Sequence, residues 1–343
     1  MDLSGVSRKV VAPVRSDPAG IHGPTRHQAA GNRWRRVGAG LYVPSDCDLT
    51  TDQRIVEAAA SLPADGAVTG WAALHWLGAP WFPGTDPSGD PLPVPLAIGD
   101  RHPRRRVPGA MLAQRWFDPD AVVRIDGLPI TVPAWSVSHE MRHPRRRYGG
   151  VIALDMAAFS DLVSLEEMTH HLYVDLVGRP GVRSARRALA LAHENSWSPQ
   201  ETVSRVEWLS ARPAATLMVN VAVFDPRGRH LFTLDLLDIT TGVAVEFDGL
   251  FHLDDGHRVR GLQREESIRS HHIELVTRMT GPTHSNADFL ARLRSAYSRA
   301  ARHRGEDRTW TVEQPDWWVD TSTVHQRRAL GSDEREIWLK HRS

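Results

Sequence analysis

FTLDLLDITTGVAVEFDGLFH, at residues Phe232–His252, is the stretch that decides the fold of the C-terminal half of the chain. It consists of two apolar segments joined by a short polar turn, and it carries four acids, Asp235, Asp238, Glu246 and Asp248. Carboxylates are depleted from half-buried strands unless a partner offsets their desolvation, and a divalent cation is a common partner. The stretch therefore predicts a β-hairpin that carries an acidic cluster.

The register of this hairpin decides which acids meet. A two-residue loop at Thr240-Thr241 places Asp235 directly opposite Glu246, with Cβ atoms roughly 5 Å apart. Asp248 shares that face because side chains alternate along a strand. A shift of one residue would bring Asp238 to the face of Glu246 instead, because a register slip exchanges the two faces. Either register gives a carboxylate cluster on one surface.

Such a cluster suits metal-assisted phosphate chemistry. Acids on two adjacent strands can hold Mg²⁺ (or Mn²⁺) and leave water free to meet a phosphate, and we expect Asp235 and Glu246 to be the ligands. His252, on the loop after the hairpin, has the pKa range needed to accept a proton from water. The plainer alternative is that Asp238 only begins the turn and Asp248 only ends the strand.

The residues around the hairpin predict the unit in which it lies. Ser198-Pro199-Gln200-Glu201 is a helix start, with Ser as N-cap, Pro at the first position and Glu at the third. Glu201 can reach the acidic cluster from this helix, although the capping box explains it equally well. The following elements are expected at Thr216–Phe224 (strand), His230–Ile239 (strand), Gly242–Phe247 (strand), Leu262–His272 (helix), Glu274–Met279 (strand) and from Asn286 to about Ala301 (helix). This order predicts an α/β unit with a mixed sheet and flanking helices.

Composition limits the classes of protein. The 343 residues are enough for two or three domains, and the net charge is +1. Lys9 and Lys340 are the only lysines, so nearly all basic residues are arginine. Cys47 is alone, which excludes an intramolecular disulfide and a CxxC zinc site. The N-terminus lacks an apolar signal segment and no run of about 18 apolar residues occurs, so we expect a cytoplasmic protein without membrane association.

The sequence RHPRRR occurs twice, at residues 101–106 and 142–147. Four arginines in six residues, kept out of a helix by proline, are typical of loops that contact phosphates, which predicts DNA as a partner. The plainer alternative is a solvated charged surface. The expected nucleic-acid contacts are Arg104, Arg105, Arg106, Arg145, Arg146 and Arg147, together with Arg264 and Arg269 on the helix after the hairpin.

SPQETVSRVEWL, LDLLD, VAVEFDGLFH, QREESIR and ELVTRMT, all within Ser198–Thr280, are the segments of a known pattern. This region resembles a domain-of-unknown-function family related to very-short-patch-repair endonucleases, within the PD-(D/E)XK nuclease-like fold. The resemblance implies a metal site made of Asp235, Glu246, Asp248, His252 and Glu201. The chain departs from the wider pattern because Asp248 stands where that pattern has a lysine.

RWRRVGAGLYVPSD (Arg33–Asp46), AVTGWAALHWLGAP (Ala67–Pro80) and GLPITVPAW (Gly127–Trp135) match a second pattern. The region from about Gly20 to Ala192 loosely resembles the N-terminal part of AbiEi-type antitoxins of actinobacteria. That resemblance implies a winged-helix-like DNA-binding segment. Residues Ala134–Glu140 depart from the run of small residues and Thr/Asp that is usual there.

These observations predict a division into a flexible N-terminus (1–30), an antitoxin-like α+β region (31–194), a restriction-endonuclease-like domain (195–303) and a Trp-rich tail (304–343). The predicted function is metal-dependent hydrolysis of DNA phosphodiesters, which the resemblances link to phage defence or toxin–antitoxin systems. The first alternative is a non-catalytic DNA-binding transcriptional regulator with a degenerate nuclease fold. The second is a scaffold whose tail docks a protein partner.

Overall fold

The structure is a computed structural model that describes residues 8–103, 106–248, 255–279, 285–303 and 308–340. The chain divides into two compact units, one of Met1–Ala153 with Glu166–Arg187 and one of Leu154–Leu165 with Ala188–Ser343. Helices and mixed sheets occur together, which confirms the α/β (α+β) class. Within the described ranges, no helix combines the length and the apolar composition needed to cross a bilayer.

The helices are α1 (Arg26–Ala29), α2 (Thr51–Ala59), α3 (Gly70–Trp76), α4 (Pro133–Arg142), α5 (Gly149–Phe159), α6 (Leu165–His170), α7 (Val182–Leu189), α8 (Pro199–Ala211), α9 (Asp255–Ser270), α10 (Asn286–Ala300), α11 (Val324–Ala329) and α12 (Ser332–Trp338). The strands are β1 (Val14–Arg15), β2 (Trp34–Gly38), β3 (Leu41–Pro44), β4 (Ala67–Val68), β5 (Val94–Ala97), β6 (Ala110–Ala113), β7 (Val122–Ile125), β8 (Leu128–Thr131), β9 (Leu217–Phe224), β10 (His230–Asp238), β11 (Val243–Asp248) and β12 (Glu274–Met279).

The first unit contains two sheets. One has the order β1-β3-β2, and the other has the order β6-β5-β4-β8-β7 with both parallel and antiparallel pairs. Helix α3 starts at Gly70, whose φ of +56° lies in the left-handed region that glycine adopts at little cost. The side chain of Glu140 accepts a hydrogen bond from Trp71 N at 2.9 Å. This contact fixes the start of α3 against α4.

The second unit contains the predicted order of elements, α8-β9-β10-β11-α9-β12-α10. Its sheet has the order β12-β11-β10-β9, in which only β11 and β12 are parallel. The predicted mixed sheet is therefore confirmed. Helix α9 begins seven residues before the predicted start, because the glycines in DGHRVRG are poor helix formers and conceal the helical pattern.

The hairpin register is the one that a central Thr240-Thr241 turn predicts. The observed pairs Leu236↔Val245 and Asp238↔Val243 define the register, and continuing it by one residue places Asp235 opposite Glu246. Gly242 N donates to Asp238 O at 2.8 Å, and Gly242 has φ +72°, which closes the turn.

Two apolar clusters cover the two faces of this sheet. One joins Trp208 of α8 and Phe289 of α10 to the strands, and the other joins Ile268 of α9 and Trp310. Within the first cluster, Trp208 Nε1 donates to Tyr297 Oη (2.9 Å), which donates to Asp238 (2.8 Å). Burial and the hydrogen bond to Asp238 raise the pKa of Tyr297 to about 12. Asp238 therefore belongs to the core rather than to the acidic cluster.

Part of the Trp-rich tail packs on the second unit. Thr311 and Phe224 exchange backbone hydrogen bonds of 2.9 Å, which places the tail beside β9. Arg327 of α11 is fully buried, and its Nε donates to Asp161 at 2.6 Å. The described part of the tail is thus an integral part of the folded unit.

Candidate active site

Asp235 and Glu246 meet where the ladder between β10 and β11 ends. Leu236↔Val245 is the pair that precedes them, and one step further the carboxylate of Asp235 accepts a hydrogen bond from Phe247 N at 2.8 Å. The side chain of Asp235 thus bonds to the backbone of β11 beside Glu246. The structure brings these two predicted site residues together.

Glu201 reaches the same place from the first turn of α8. Ser198 Oγ accepts from Glu201 N at 3.2 Å, so the predicted N-cap is confirmed. The reciprocal half of the capping box differs, because Glu201 Oε2 accepts from Trp197 N (2.8 Å) and from Asn220 Nδ2 (2.6 Å). The carboxylate is therefore held against β9 rather than against the N–H of the cap.

Asn220 is a site residue that the sequence analysis missed. It lies on β9, and the β9–β10 residue pairs on either side of it place it beside Asp235. Asn220 is 7% exposed and its φ is +46°. Left-handed backbone is costly for a residue other than glycine and often marks a functional site. Its Oδ1 is buried without a hydrogen-bond partner in the described structure. The sequence feature that could have indicated it is an amide side chain inside the apolar strand LMVNVAVF, because Asn is disfavoured in strands.

Arg264 of α9 provides the positive charge of the site. One of its terminal nitrogens donates to Glu246 Oε1 at 2.5 Å and to Thr233 O at 2.7 Å. Arg269, five residues later on the same helix, instead pairs with Glu265 at 2.6 Å. The two arginines therefore have different surroundings, and Arg264 is the one at the acidic cluster.

The two glutamates act on the carboxyl group of Asp235. Burial, followed by the charges of Glu201 and Glu246, raises the pKa of Asp235 to about 8, against the opposing effects of Phe247 N and Arg264. This donor set fits a hard divalent cation, because such a cation prefers carboxylate oxygens and would relieve their repulsion. Among the described side chains, no group of three or more Asp, Glu, His or Cys residues already forms a metal-ligand set. Binding would therefore require these carboxylates to move toward the cation.

Several predicted residues cannot be placed in this site. His252, Arg104 and Arg105 lie outside the described residues. Asp248 is described only through its position in β11, where it pairs with Met279 of β12. Its side chain also lies outside the description, so its expected role stays a prediction.

The remaining predicted arginines belong to the first unit. Arg106 and Arg146 are exposed. Arg145 pairs with Glu140 at 3.3 Å, and the guanidinium of Arg147 lies 4.6 Å from the ring centre of Tyr148. Their proposed contacts with DNA stay predictions.

Comparison of the chain with protein-family models, with curated proteins and with solved structures gave no match.

The pKa of Asp235 predicts how stability depends on pH. Its ordinary value is 3.8 and its value in the folded chain is about 8, so between these limits the folded state holds a proton that the unfolded state lacks. The free energy of unfolding without metal should therefore fall as the pH rises from about 4 to about 8. Asp235→Asn removes this titration, so wild type should lose stability relative to the variant across that window. Urea unfolding in EDTA at about pH 5, 6.5 and 8 measures it, and parallel pH profiles would contradict the shift.

Proposed function

We propose that the second unit is a metal-dependent nuclease of the PD-(D/E)XK-like kind that hydrolyses phosphodiester bonds in DNA. The observation that carries the proposal is the meeting of Asp235 and Glu246 at the end of the β10–β11 ladder near Glu201, where burial first and then the charges of the two glutamates raise the pKa of Asp235 to about 8. A carboxyl group poised near neutrality among other acids is characteristic of functional sites. The neighbouring Arg264 adds a group that can bind a phosphate.

Each residue has a role in this proposal. Asp235 and Glu246, with Glu201, would hold Mg²⁺ or Mn²⁺. When bound, such a cation polarises the phosphate and makes water a stronger nucleophile. Arg264, released from Glu246, would neutralise the phosphate and hold the strand. Because the chain has no lysine between Lys9 and Lys340, the proton of the attacking water would pass to His252, to a carboxylate or, where the cation alone activates the water, to solvent.

A cleavage assay on the full chain tests this function. Supercoiled, linear and single-stranded DNA and RNA are each incubated with Mg²⁺, with Mn²⁺ and with EDTA. We expect DNA to be cut only when a divalent cation is present. A protein that cuts no substrate and shows no Mn²⁺ binding by calorimetry would rule the proposal out.

A specific observation favours the second candidate, a DNA-binding regulator that uses the fold as a scaffold. Each of the three carboxylates already accepts a hydrogen bond from the protein, so the cluster can persist without a cation. Such a regulator would bind its own promoter in a salt-dependent manner, because phosphate contacts release counterions. Binding that is unchanged by Glu246→Ala, without any cleavage by wild type, would select this candidate.

A further inference from the structure

The first unit contains a cavity of about 270 Å³ beside α4 and β6. Two of its walls are the indole rings of Trp116 and Trp135, whose centres are 5.9 Å apart at an angle of 66°. Trp116 remains 40% exposed although it is a large aromatic residue. A volume near the lower end of the usual range for small-molecule sites, with aromatic walls, suits one planar ring and its substituents.

His139 is a further residue of the cavity lining. Its Nε2 is buried and has no hydrogen-bond partner within the described residues. Burial, assisted by the charges of His143 and Arg145, lowers the pKa of His139 to about 3, so its ring is neutral at physiological pH. The part of the cavity wall that His139 forms is therefore uncharged.

Three arginine side chains lie at or beside the same cavity, and none of them is paired with an acid among the described residues. Arg115 and Arg142 line it, and both donate to Pro180 O, at 3.3 and 2.9 Å. The guanidinium of Arg179 lies 4.4 Å from the ring centre of Trp116. No carboxylate in the described part of the chain forms an ion pair with any of these three arginines, and burial together with Arg115 and Arg179 lowers the pKa of Arg142. Such a field attracts an anion.

We propose that this cavity binds a nucleotide, with its base against Trp116 and Trp135 and its phosphate bound by Arg115 and Arg142. The proposal goes beyond the nuclease function and does not depend on it, because every residue involved belongs to the first unit. Aromatic rings stack on any nucleobase, and arginine binds phosphate through paired N–H groups. The nucleotide comes either free from solution or as an unpaired nucleotide of a DNA strand.

Two pairs of variants test the site, each with a matched control. Trp116→Ala is compared with Trp81→Ala, because Trp81 is 39% exposed and lies away from the cavity lining. Arg115→Ala is compared with Arg124→Ala, since both arginines are exposed and donate to a backbone carbonyl, at 3.3 and 3.4 Å. Titration calorimetry in EDTA uses adenosine 5′-monophosphate, thymidine 5′-monophosphate, adenosine, inorganic phosphate and a single-stranded oligonucleotide. The melting temperature of each variant verifies that it is folded.

We expect Trp116→Ala and Arg115→Ala each to weaken binding about tenfold or more, while the two controls match wild type. If wild type binds the mononucleotides and the two variants lose that binding, the ligand is a free nucleotide. If wild type binds only the oligonucleotide and the two variants lose that binding, the ligand is an unpaired nucleotide of a DNA strand. Both results support the site. Absence of binding to every probe, equal effects of variants and controls, or phosphate binding as tight as nucleotide binding would overturn it. EDTA keeps these outcomes separate from any failure of nuclease activity.

Discussion

Replacing Glu246 with alanine should reduce Mg²⁺-dependent DNA cleavage by about a hundredfold or more. Changes to groups that merely support a metal ligand commonly cost 10- to 100-fold in affinity or activity, so removal of a ligand should cost at least as much. The substitution also releases Arg264, which now bonds to Glu246 Oε1 at 2.5 Å. The side chain of Arg264, the partner left behind, is 44% exposed, so water can solvate its charge and the fold should stay intact. Initial cleavage rates at saturating Mg²⁺ measure the effect.

Glu265→Ala is the matched control for this variant. Glu265 is also an acid paired with an arginine of α9, Arg269, at 2.6 Å, but its partner does not bond to the acidic cluster. Its removal should leave cleavage within about twofold of wild type, since exposed ion pairs contribute little. Glu246→Gln keeps the shape of the side chain and removes its charge, so it should lose activity as well. Cleavage by Glu246→Gln at the wild-type rate would show that Glu246 is not a ligand.

The hairpin was predictable because its information is local. Two apolar segments around Thr240-Thr241 fix the register, and a slip of one residue would turn the buried face to solvent. The register then separates Asp235, which lies at the acidic cluster, from Asp238, which bonds to Tyr297 in the core. The sequence favoured Asp235 over Asp238 as the ligand, but it could not show what Asp238 contacts, because the partner of Asp238 lies 59 residues further along the chain.

The position of Glu201 was predictable but its contacts were not. The spacing in SPQE fixes its place at the third position of α8. Its carboxylate bonds to Asn220, a contact between residues 19 apart that depends on how α8 packs against β9. Asn220 in turn has left-handed backbone, which no local pattern predicts for an amide in an apolar strand. Tertiary contacts therefore decide the inner part of the site.

The two RHPRRR segments illustrate the limits of charge patterns. The pattern indicates an anion-binding surface but does not say which arginine faces which partner. In the second copy, Arg145 pairs with Glu140, whereas Arg142 has no ion-pair partner in the described structure and lines the cavity of the first unit. The residue with the clearest structural reason to bind an anion is thus the first arginine of that segment, rather than the three that follow its proline.

Asp155→Ala should lower the free energy of unfolding of the second unit by about 3–5 kcal/mol, the usual result of leaving a buried charge without its partner. Asp155 is fully buried in α5 and accepts hydrogen bonds from His193 N, Thr202 Oγ1 and Arg205, at 2.8, 2.8 and 2.7 Å. Arg205 is itself only 3% exposed, so bulk water does not solvate its charge in the folded chain. Urea unfolding followed by far-UV circular dichroism measures the loss.

A double variant separates the cost of an unpaired charge from the loss of a stabilising contact. Arg205 Nε is already buried without a hydrogen-bond partner in the described structure, so the ion pair is incompletely satisfied. Replacing both partners, as Asp155→Leu with Arg205→Met, should therefore recover most of the stability lost in Asp155→Ala, because apolar groups of similar size can replace a buried pair. Glu265→Ala again serves as the control, because its side chain is 34% and that of its partner Arg269 57% exposed, and it should change stability by less than about 1 kcal/mol. If the double variant is as unstable as Asp155→Ala, then the bonds of Asp155 to His193 N and Thr202 Oγ1, rather than the charge left on Arg205, dominate its contribution.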